Sequence, residues 1–275
     1  MREPSATAGL TLDAADAYCR FLTGRHYENF SVASAFVDRN RRTDLARLYA
    51  FCRTTDDLGD ESADRQAVPR LERWRSELID AFAGTTPVHP VLYALARTAE
   101  RRTIPAQPFL DLIEANLMDQ RVSAYESWPD LLAYCMLSAA PVGRMVLLVF
   151  GIANAENERL SDDVCVGLQL ANHAQDVSRD RRIGRSYLLQ KDVRDGGTAF
   201  AVESLVGRAR TLLDSGKILE RRAPMALRLQ LALYRLGGRA ICDAIERVGY
   251  QTENVRPSVS TPTKLALAVR ALAAG

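Results

Sequence analysis

Two acidic segments at helical spacing place the strongest constraint on this chain. The first contains Asp56 and Asp60, and the second contains Asn172, Asp176 and Asp180. Because an α-helix advances about 100° per residue, side chains four positions apart lie on one face. Like charges at this spacing weaken a helix by about 0.2–0.5 kcal/mol per pair. A hard cation such as Mg²⁺, which takes carboxylate, diphosphate and water oxygens, would offset the repulsion. We therefore predict two helices that together bind a metal–diphosphate group.

A single Asp-x-x-x-Asp pair is most often just a solvent-exposed helix face. Here each segment is preceded, three residues earlier, by a hydrogen-bonding side chain, Arg53 and Gln169 respectively. The planar guanidinium of Arg53 suits bidentate contact with phosphate oxygens, and its alternative role is to neutralise Asp56 and Asp57. Tyr49 shares the helical face of Arg53, so it either orients a phosphate oxygen or fills the core.

Composition narrows the class of protein. The chain has 275 residues, of which 47% are hydrophobic and 25% charged, as in soluble globular proteins. A net charge of +2 argues against nucleic-acid binding. The five cysteines are scattered without a C-x-x-C motif, so we expect reduced core residues. No secretory signal is visible, so the cytoplasm is the expected location, and peripheral membrane contact stays open.

Leu, Ala and Arg dominate and alternating β-branched stretches are scarce, which favours an all-α fold. No polar linker divides the sequence, so we expect one domain over residues 1–275, with its core in about 11–275. A helical bundle with a central cavity would let the two acidic segments face each other. Helices are predicted over residues 11–24, 41–61, 68–83, 90–101, 108–121, 129–137, 141–153, 159–181, 198–215, 224–247 and 262–273.

Further polar candidates lie between and after these segments. Ser31 follows a Phe at a possible helix start, where it would either bind an anion or cap the helix. The segment from Tyr134 to Gly143 contains Pro141, so it is either a kinked helix lining a cavity or a loop between helices. Arg185 and Tyr187 would either close over a diphosphate or pack at the helix end.

Taken together, these motifs resemble the squalene/phytoene synthase family, the head-to-head isoprenyl diphosphate synthases. One matching pattern is Tyr134-Cys-x-x-Ser-Ala-Ala-x-Val-Gly143. The other is Gly167-x-Gln169-x-x-Asn172-x-x-x-Asp176-x-x-x-Asp180, followed by Arg185-x-Tyr187. With Asp56-x-x-x-Asp60, the resemblance covers roughly residues 18–260 and implies the all-α isoprenoid synthase fold.

Within the family, the sequence resembles the hydroxysqualene synthase branch, HpnC. The matching stretches are His26–Ser34, Ser138–Arg144 and Gln175-Asp176-Val. Two positions depart from the family pattern, since Leu189 replaces a usual Pro and His173 replaces a bulky aromatic or aliphatic residue. Both adjoin the second acidic segment, where they would alter the access of the isoprenyl chain or of water. Neither departure removes a ligand.

The resemblance implies roles for individual residues. Tyr49 and Arg53 would bind the leaving diphosphate, and Tyr134 and Gln169 would line the reaction cavity. Further substrate contacts are expected from Ser31, Asn172, Arg185 and Tyr187, and catalysis from the four aspartates with Tyr134. The Mg²⁺ ligands would be Asp56, Asp60, Asn172, Asp176 and Asp180.

These roles agree with the chemistry of diphosphate ionisation. An allylic or cyclopropylcarbinyl diphosphate ionises only if the departing charge is stabilised, and the carbocation then needs aromatic walls rather than a protein nucleophile.

The reaction implied is conversion of presqualene diphosphate to hydroxysqualene by ionisation, cyclopropyl rearrangement and capture by water. Mg²⁺ is the expected cofactor, and no nicotinamide is expected. Alternatives within the family are presqualene diphosphate synthase, reducing squalene synthase and phytoene synthase. An alternative of another class is a non-catalytic relative that acts as a scaffold protein. A third alternative, a head-to-tail elongase or terpene cyclase, is disfavoured by the match of Tyr134–Gly143 to the family pattern. The expected partners are an isoprenyl diphosphate and sister enzymes of the pathway, and no nucleic acid.

Overall fold

The structure is a computed structural model that describes residues 9–24, 37–60 and 66–273. The described chain is almost entirely helical, which confirms the all-α prediction. The elements are α1 Leu12–Gly24, α2 Arg39–Asp60, α3 Ala67–Phe82, α4 Pro90–Arg102, α5 Gln107–Met118, β1 Ala124–Tyr125, α6 Trp128–Ser138, α7 Ala140–Phe150, α8 Ala155–Gln175, α9 Val177–Arg182, β2 Ser186–Leu189, α10 Gln190–Arg222, α11 Met225–Arg247 and α12 Thr261–Ala273.

The chain divides into two compact units, Met1–Leu117 and Met118–Gly275. Each unit has its own buried apolar residues. Compactness alone does not show that either unit folds independently, so the single domain stays a prediction.

Most predicted helix bounds agree with the structure to within a few residues, with three exceptions. The helix predicted over 159–181 breaks at Asp176, whose φ and ψ are −97° and 15°. The helix predicted over 198–215 belongs to the longer α10, which Gly197 interrupts with φ 82° and ψ −179°. The parallel pair of β1 and β2 was not predicted, because strands of two and four residues are too short to show an alternating pattern.

The core of the first unit is built on aromatic packing around α2. Phe51 is fully buried, stacking on Trp74 at a centroid distance of 5.6 Å and meeting Phe109 edge-on at 5.1 Å. The indole Nε1 of Trp74 donates a hydrogen bond of 3.0 Å to Thr55 Oγ1, so its polar atom is satisfied. This packing fixes the rotation of α2 and therefore the direction in which its acidic face points.

A buried charge cluster holds the first half of α2. Asp44 is fully buried and accepts hydrogen bonds from Thr98 Oγ1 at 2.8 Å, Arg102 Nε at 2.8 Å and the guanidinium of Arg101. One turn on, Arg47 pairs with Asp16 at 2.7 Å. Every charge in this cluster has a partner, as burial requires.

In the second unit, α8 is the central helix and packs against α7, α10 and α11. Its residues Leu160, Val164 and Leu170 are buried. Gly143 lets α7 lie close to α8, because a Cβ there would lie 2.3 Å from Ser161 Oγ. Ala139 alone separates α6 from α7, so the segment around Pro141 is a break between two helices rather than a long loop.

All five cysteines are free thiols, in agreement with the prediction of reduced residues. Burial raises the pKa of Cys19, Cys52 and Cys135 to about 12. The same cause raises the pKa of Cys165 and Cys242 to about 11. Such thiols carry very little thiolate near neutral pH.

Among the described residues, the segment Trp128–Phe150 is long and apolar enough to cross a membrane by length and composition, with a mean hydropathy of 1.7. It consists of the two helices α6 and α7 and includes the fully buried side chains of Leu131 and Met145. These are properties of core helices, so the segment is weak evidence for a membrane span.

Candidate active site

In the first unit, the candidate site lies on the second half of α2. Arg53 forms an ion pair with Asp57, one helical turn further on. This contact is the neutralising role considered for Arg53. The Nε of Arg53 is nevertheless buried with no hydrogen-bond acceptor among the described residues. A donor in that position is suited to an oxygen that the protein itself does not provide.

Asp56 is exposed on α2 and is contacted by a residue that the sequence analysis missed. Asn116 Nδ2 lies 3.3 Å from Asp56 Oδ1 and also donates to Leu112 O at 3.1 Å. Gly59 makes room for this side chain, since a Cβ there would lie 2.4 Å from Asn116 Oδ1. In the sequence, the only sign of this contact is a polar residue, Asn116, near the end of the mostly apolar helix α5.

Tyr49 is half-buried on α2, one helical turn before Arg53. Its pKa is raised, chiefly by burial, while the charge of Arg53 lowers it and that of Asp56 raises it. The phenol is therefore neutral at ordinary pH. Two predicted site positions cannot be placed, because Ser31 and the side chain of Asp60 lie outside the described residues.

In the second unit, the second acidic segment keeps its spacing across the helix break. Asp176 N donates to Asn172 O at 2.9 Å, and Asp180 N donates to Asp176 O at 2.9 Å. The exposed side chain of Asn172 lies on the last turn of α8, and Asp180 lies on α9. The predicted i, i+4 relation therefore survives even though the helix does not continue.

Asp180 is the least compensated of these carboxylates. Its pKa is raised from 3.8 to about 6, first by burial and next by the negative charge of Asp176. No lysine or arginine in the described ranges forms an ion pair with it. The charges of Arg179 and Arg185 lower the pKa but do not cancel this rise. A carboxylate held near another is the donor chemistry that Mg²⁺ satisfies. Across the described residues, however, no three His, Cys, Asp or Glu side chains converge as a ready metal site.

Asp176 has a protein partner that the sequence analysis also missed. Arg256 approaches it with two nitrogens, Nε to Oδ1 and Nη2 to Oδ2, the latter at 3.3 Å. Arg256 Nη2 also donates to Gln175 Oε1 at 3.2 Å, and Gln175 Nε2 donates to Pro257 O at 2.7 Å. The segment before α12 is thus tied to the end of α8, with a guanidinium beside the acidic segment.

A second polar centre in this unit is built around Asp119, at the end of α5. Tyr187 donates to its Oδ1 at 2.9 Å, and Tyr134 donates to its Oδ2 at 3.0 Å. Arg185 lies 3.7 Å from the same carboxylate. The unpredicted strand β2 positions Tyr187, and α6 positions Tyr134. The structure thus gathers Tyr134, Arg185 and Tyr187 around an aspartate that no motif had indicated.

Burial raises the pKa of both tyrosines, and the negative charge of Asp119 raises it further. Both phenols therefore stay neutral and act as hydrogen-bond donors. The rings of these neutral tyrosines can border a reactive cation, while Asp119 holds the two hydroxyl protons.

Aromatic rings surround this polar centre. His173 stacks on Tyr187 with a centroid distance of 3.8 Å, and Tyr134 lies 5.5 Å from Tyr187. Tyr125, on β1, stacks on Tyr187 at 5.9 Å. Gln169 is half-buried one turn before His173 on α8. Ring faces attract cations, so the cluster provides a wall suited to positive charge.

His173 is buried, and its Nε2 has no hydrogen-bond partner among the described residues. Burial lowers its pKa from 6.5 to about 3, so the imidazole is neutral. The sequence analysis had marked this residue as a departure from the family pattern. The structure shows that the departure places a neutral polar group among aromatic rings.

Comparison with known proteins identifies the family of this chain. The sequence model of the squalene/phytoene synthase family matches residues 23–263. The crystal structure of squalene synthase HpnC from Alicyclobacillus acidocaldarius shares 45% identity, covers 87% of this chain and 95% of that chain, and superposes with a TM-score of 0.81. The chain therefore belongs to the squalene/phytoene synthase family, and the predicted resemblance to the HpnC branch is confirmed.

Two further relatives and one further solved structure share less sequence identity with this chain. The hydroxysqualene synthase of Rhodopseudomonas palustris is 36% identical over 174 residues, which are 62% of this chain and 58% of that protein. A chloroplastic phytoene synthase of Narcissus pseudonarcissus is 30% identical over 91% of this chain, which spans 64% of that protein's length. A dehydrosqualene synthase crystal structure has a TM-score of 0.85 at 23% identity, and so shows the isoprenoid synthase fold alone.

Proposed function

We propose that this protein converts presqualene diphosphate to hydroxysqualene in a Mg²⁺-dependent reaction. The observation that carries the proposal is the 45% identity to squalene synthase HpnC over 95% of that chain. The neutral His173 lies within the aromatic cluster, and its Nε2 has no hydrogen-bond partner among the described residues, which favours a reaction that ends with water rather than with hydride.

The acidic residues of both units are the proposed Mg²⁺ ligands. Asp56 and Asp60 would act in the first unit, and Asn172, Asp176 and Asp180 in the second. When bound, Mg²⁺ supplies positive charge to the leaving diphosphate. The pKa of Asp180, raised by burial and by the charge of Asp176, supports this assignment, because a bound cation would relieve that repulsion.

Arginine side chains in each unit would bind diphosphate oxygens. In the first unit, Arg53 offers a buried Nε that has no acceptor among the described residues, and the neutral hydroxyl of Tyr49 lies on the same helix. In the second unit, Arg256 and Arg185 lie beside the carboxylates of Asp176 and Asp119. Donors fixed before the substrate binds stabilise departing charge without the cost of reorganisation.

The aromatic cluster would protect the carbocation that is left after ionisation. The ring faces of Tyr134, Tyr187 and Tyr125 attract positive charge, and the carboxylate of Asp119 adds a negative potential. Because the hydroxyls of Tyr134 and Tyr187 donate to Asp119, their protons are engaged and the phenols remain neutral. The cation can then rearrange before it is quenched.

Capture by water would end the reaction. We assign the placement of that water to His173, whose neutral imidazole can hydrogen-bond a single water molecule beside the aromatic rings. A carbon–oxygen bond forms between water and the cation, and one water proton leaves to the released diphosphate. No reductant takes part in this step, so no nicotinamide is required.

The test is product analysis by gas chromatography–mass spectrometry with Mg²⁺ and either farnesyl or presqualene diphosphate, with and without NADPH. Hydroxysqualene formed from presqualene diphosphate without NADPH is the expected result. Presqualene diphosphate made from farnesyl diphosphate, or NADPH-dependent squalene, would assign the protein to a sister branch.

Phytoene synthase is the second candidate, favoured by the 30% identity to the Narcissus enzyme over 91% of this chain. It predicts phytoene-like products and no reaction with presqualene diphosphate. If no diphosphate is turned over, the remaining hypothesis is a non-catalytic scaffold protein. The intact acidic segments do not favour that hypothesis, because a scaffold would not need them.

A further inference from the structure

The turn between α10 and α11 carries a concentration of positive charge. Helix α10 ends at Arg222 and α11 begins at Met225, so the two helices form a hairpin. Its end presents cationic residues from both helices together with two exposed apolar side chains. We call this surface the basic tip, and it consists of Lys217, Ile218, Arg221, Arg222, Met225 and Arg228.

A cleft of about 250 Å³ opens between the two helices at this tip. It is lined by Lys217, Glu220, Arg221, Arg228 and Arg235. The single carboxylate in the cleft is already used, since Arg235 binds Glu220 with Nε at 2.5 Å and Nη2 at 3.0 Å. Glu220 therefore cannot neutralise the other cations of the cleft.

Arg228 is held by backbone carbonyls instead of by a carboxylate in these contacts. Its Nε donates to Glu220 O at 3.0 Å, and its Nη2 donates to Ala223 O at 3.3 Å. These are terminal carbonyls of α10, which a cation at a helix C-terminus satisfies. The contacts fix the guanidinium at the C-terminal end of α10.

The neighbouring carboxylates do not balance the remaining cations. Asp214 is shared between Lys217 at 3.1 Å and Arg239 at 2.8 Å, and Glu156 pairs with Arg222 at 2.7 Å. Arg221 has no carboxylate partner within the described part of the chain. The tip is thus locally cationic on a protein whose net charge is only +2.

Two apolar side chains stand among these cations. Ile218 is 45% exposed and Met225 is 56% exposed. Ile218 adjoins Lys217 and lies one turn before Arg222, and Met225 begins α11. An exposed apolar residue flanked by cations is the pattern of a surface that rests on lipid headgroups, with the apolar group reaching the acyl boundary.

The tip lies far from the proposed diphosphate-binding residues of its own unit. Arg222 pairs with Glu156 at the start of α8, whereas Asp176 follows the end of that helix. With 21 residues in α8, the two ends are about 30 Å apart. The cations of the tip therefore belong to a separate site.

We propose that the basic tip docks this protein on an anionic lipid membrane. Charge complementarity identifies the occupant: phosphodiester headgroups meet Lys217, Arg221 and Arg228, and Ile218 and Met225 enter the interface. A free phosphate would use the cleft but would give no role to the two apolar side chains. Docking requires neither substrate nor turnover, so it stands independently of the proposed reaction.

The experiment is flotation of the purified full chain with vesicles of phosphatidylcholine, with or without 30% phosphatidylglycerol. We expect binding to the anionic vesicles, little binding to the neutral ones, and release in high salt. Lys217→Gln with Arg221→Gln should lower the partition coefficient about 25-fold. Ile218→Ser with Met225→Ser should weaken binding even at low salt.

The matched control removes two cations elsewhere, by Arg97→Gln and Arg247→Gln. Arg97 lies on α4, and Arg247 ends α11 at the opposite end from Arg228. Lys217→Arg with Arg221→Lys keeps the charge and should keep binding. The melting temperature and the turnover in detergent should not change in the tip variants, which separates loss of docking from loss of folding or of activity.

Three outcomes would overturn the proposal. The first is equal binding to neutral and anionic vesicles. The second is an equal loss of binding in the control pair and the tip pair. The third is binding of inorganic phosphate or diphosphate by calorimetry that the tip pair abolishes while vesicle binding stays unchanged, which would assign the cleft to a soluble anion.

Discussion

Asp44 and Asp180 are two partly or wholly buried aspartates that the fold treats differently. Asp44, in the first unit, is fully buried and is bound by Arg101, Arg102 and Thr98. Asp180, in the second unit, has no ion pair among the described residues, and its pKa rises to about 6. A carboxylate that the protein neutralises contributes to stability. A carboxylate that repels its neighbour is instead a candidate for binding a cation from solution.

The two histidines with lowered pKa values repeat this contrast. His89 has a pKa of about 4, and its Nδ1 accepts a hydrogen bond of 3.2 Å from Val91 N at the start of α4. His173 has a pKa of about 3, and its Nε2 has no partner within the described ranges. One imidazole is therefore a helix cap, and the other is available to a ligand or to water.

The largest expected effect is that of Asp180→Asn. Removing one charge from the acidic segment should lower turnover about 1,000-fold, the scale seen when a preorganised electrostatic group is lost. The melting temperature should not fall, because the substitution also relieves repulsion with Asp176. Steady-state kinetics and thermal melts measure both, with Asp163→Asn, a half-buried aspartate of α8 paired with Arg159, as the control. Turnover at the wild-type rate would contradict the metal assignment.

Asp44→Asn should lower stability but not turnover, the reverse of the effect expected for Asp180→Asn. It leaves Arg101 and Arg102 without their carboxylate and should lower the free energy of unfolding by about 3 kcal/mol. The turnover of the folded fraction should be unchanged. Urea denaturation measures the loss, and Asp38→Asn, at an exposed pair with Arg41, should change stability by less than about 0.5 kcal/mol. Loss of turnover without loss of stability would show that Asp44 has a functional role, and would contradict the contrast drawn between Asp44 and Asp180.

The effect of His173→Phe should appear in the products. With no polar group to hold a water molecule, the cation should lose a proton to give polyenes at the expense of hydroxysqualene. Gas chromatography–mass spectrometry measures the ratio, which we expect to shift about tenfold, the effect of roughly 1.4 kcal/mol. His89→Ala removes a cap and should cost about 1 kcal/mol of stability with products unchanged. An unaltered ratio in His173→Phe would refute the water-placing role.

The smallest effect is on the pH dependence of stability. The native pKa of Asp180 lies near 6 and its ordinary value is 3.8, so between these values the native state holds a proton that the unfolded state has released. The stabilisation is fully present below about pH 4 and is lost as pH rises to about 6. Thermal melts from pH 4 to 7 should show this component in the wild type but not in Asp180→Asn. Equal slopes would show that Asp180 is not perturbed.

The sequence predicted the fold class, most helices and the i, i+4 relation of the acidic segments, because each depends on local periodicity. It did not reveal Asp119, Asn116 or Arg256 as neighbours of site residues, because those contacts join distant segments. Arg256, for example, meets Asp176 across 80 residues. The break at Asp176 was also hidden, since its backbone hydrogen bonds keep the helical spacing on both sides.

The burial of the cysteines has a practical consequence. Because the thiol pKa values are about 11 or 12, the native cysteines should react slowly with maleimides near neutral pH. A cysteine introduced on an exposed helix end would then be the fast-reacting thiol without any removal of native ones. A single fluorophore or spin label could thus be attached to the otherwise unmodified chain, and its environment would report contact between the labelled surface and a lipid phase.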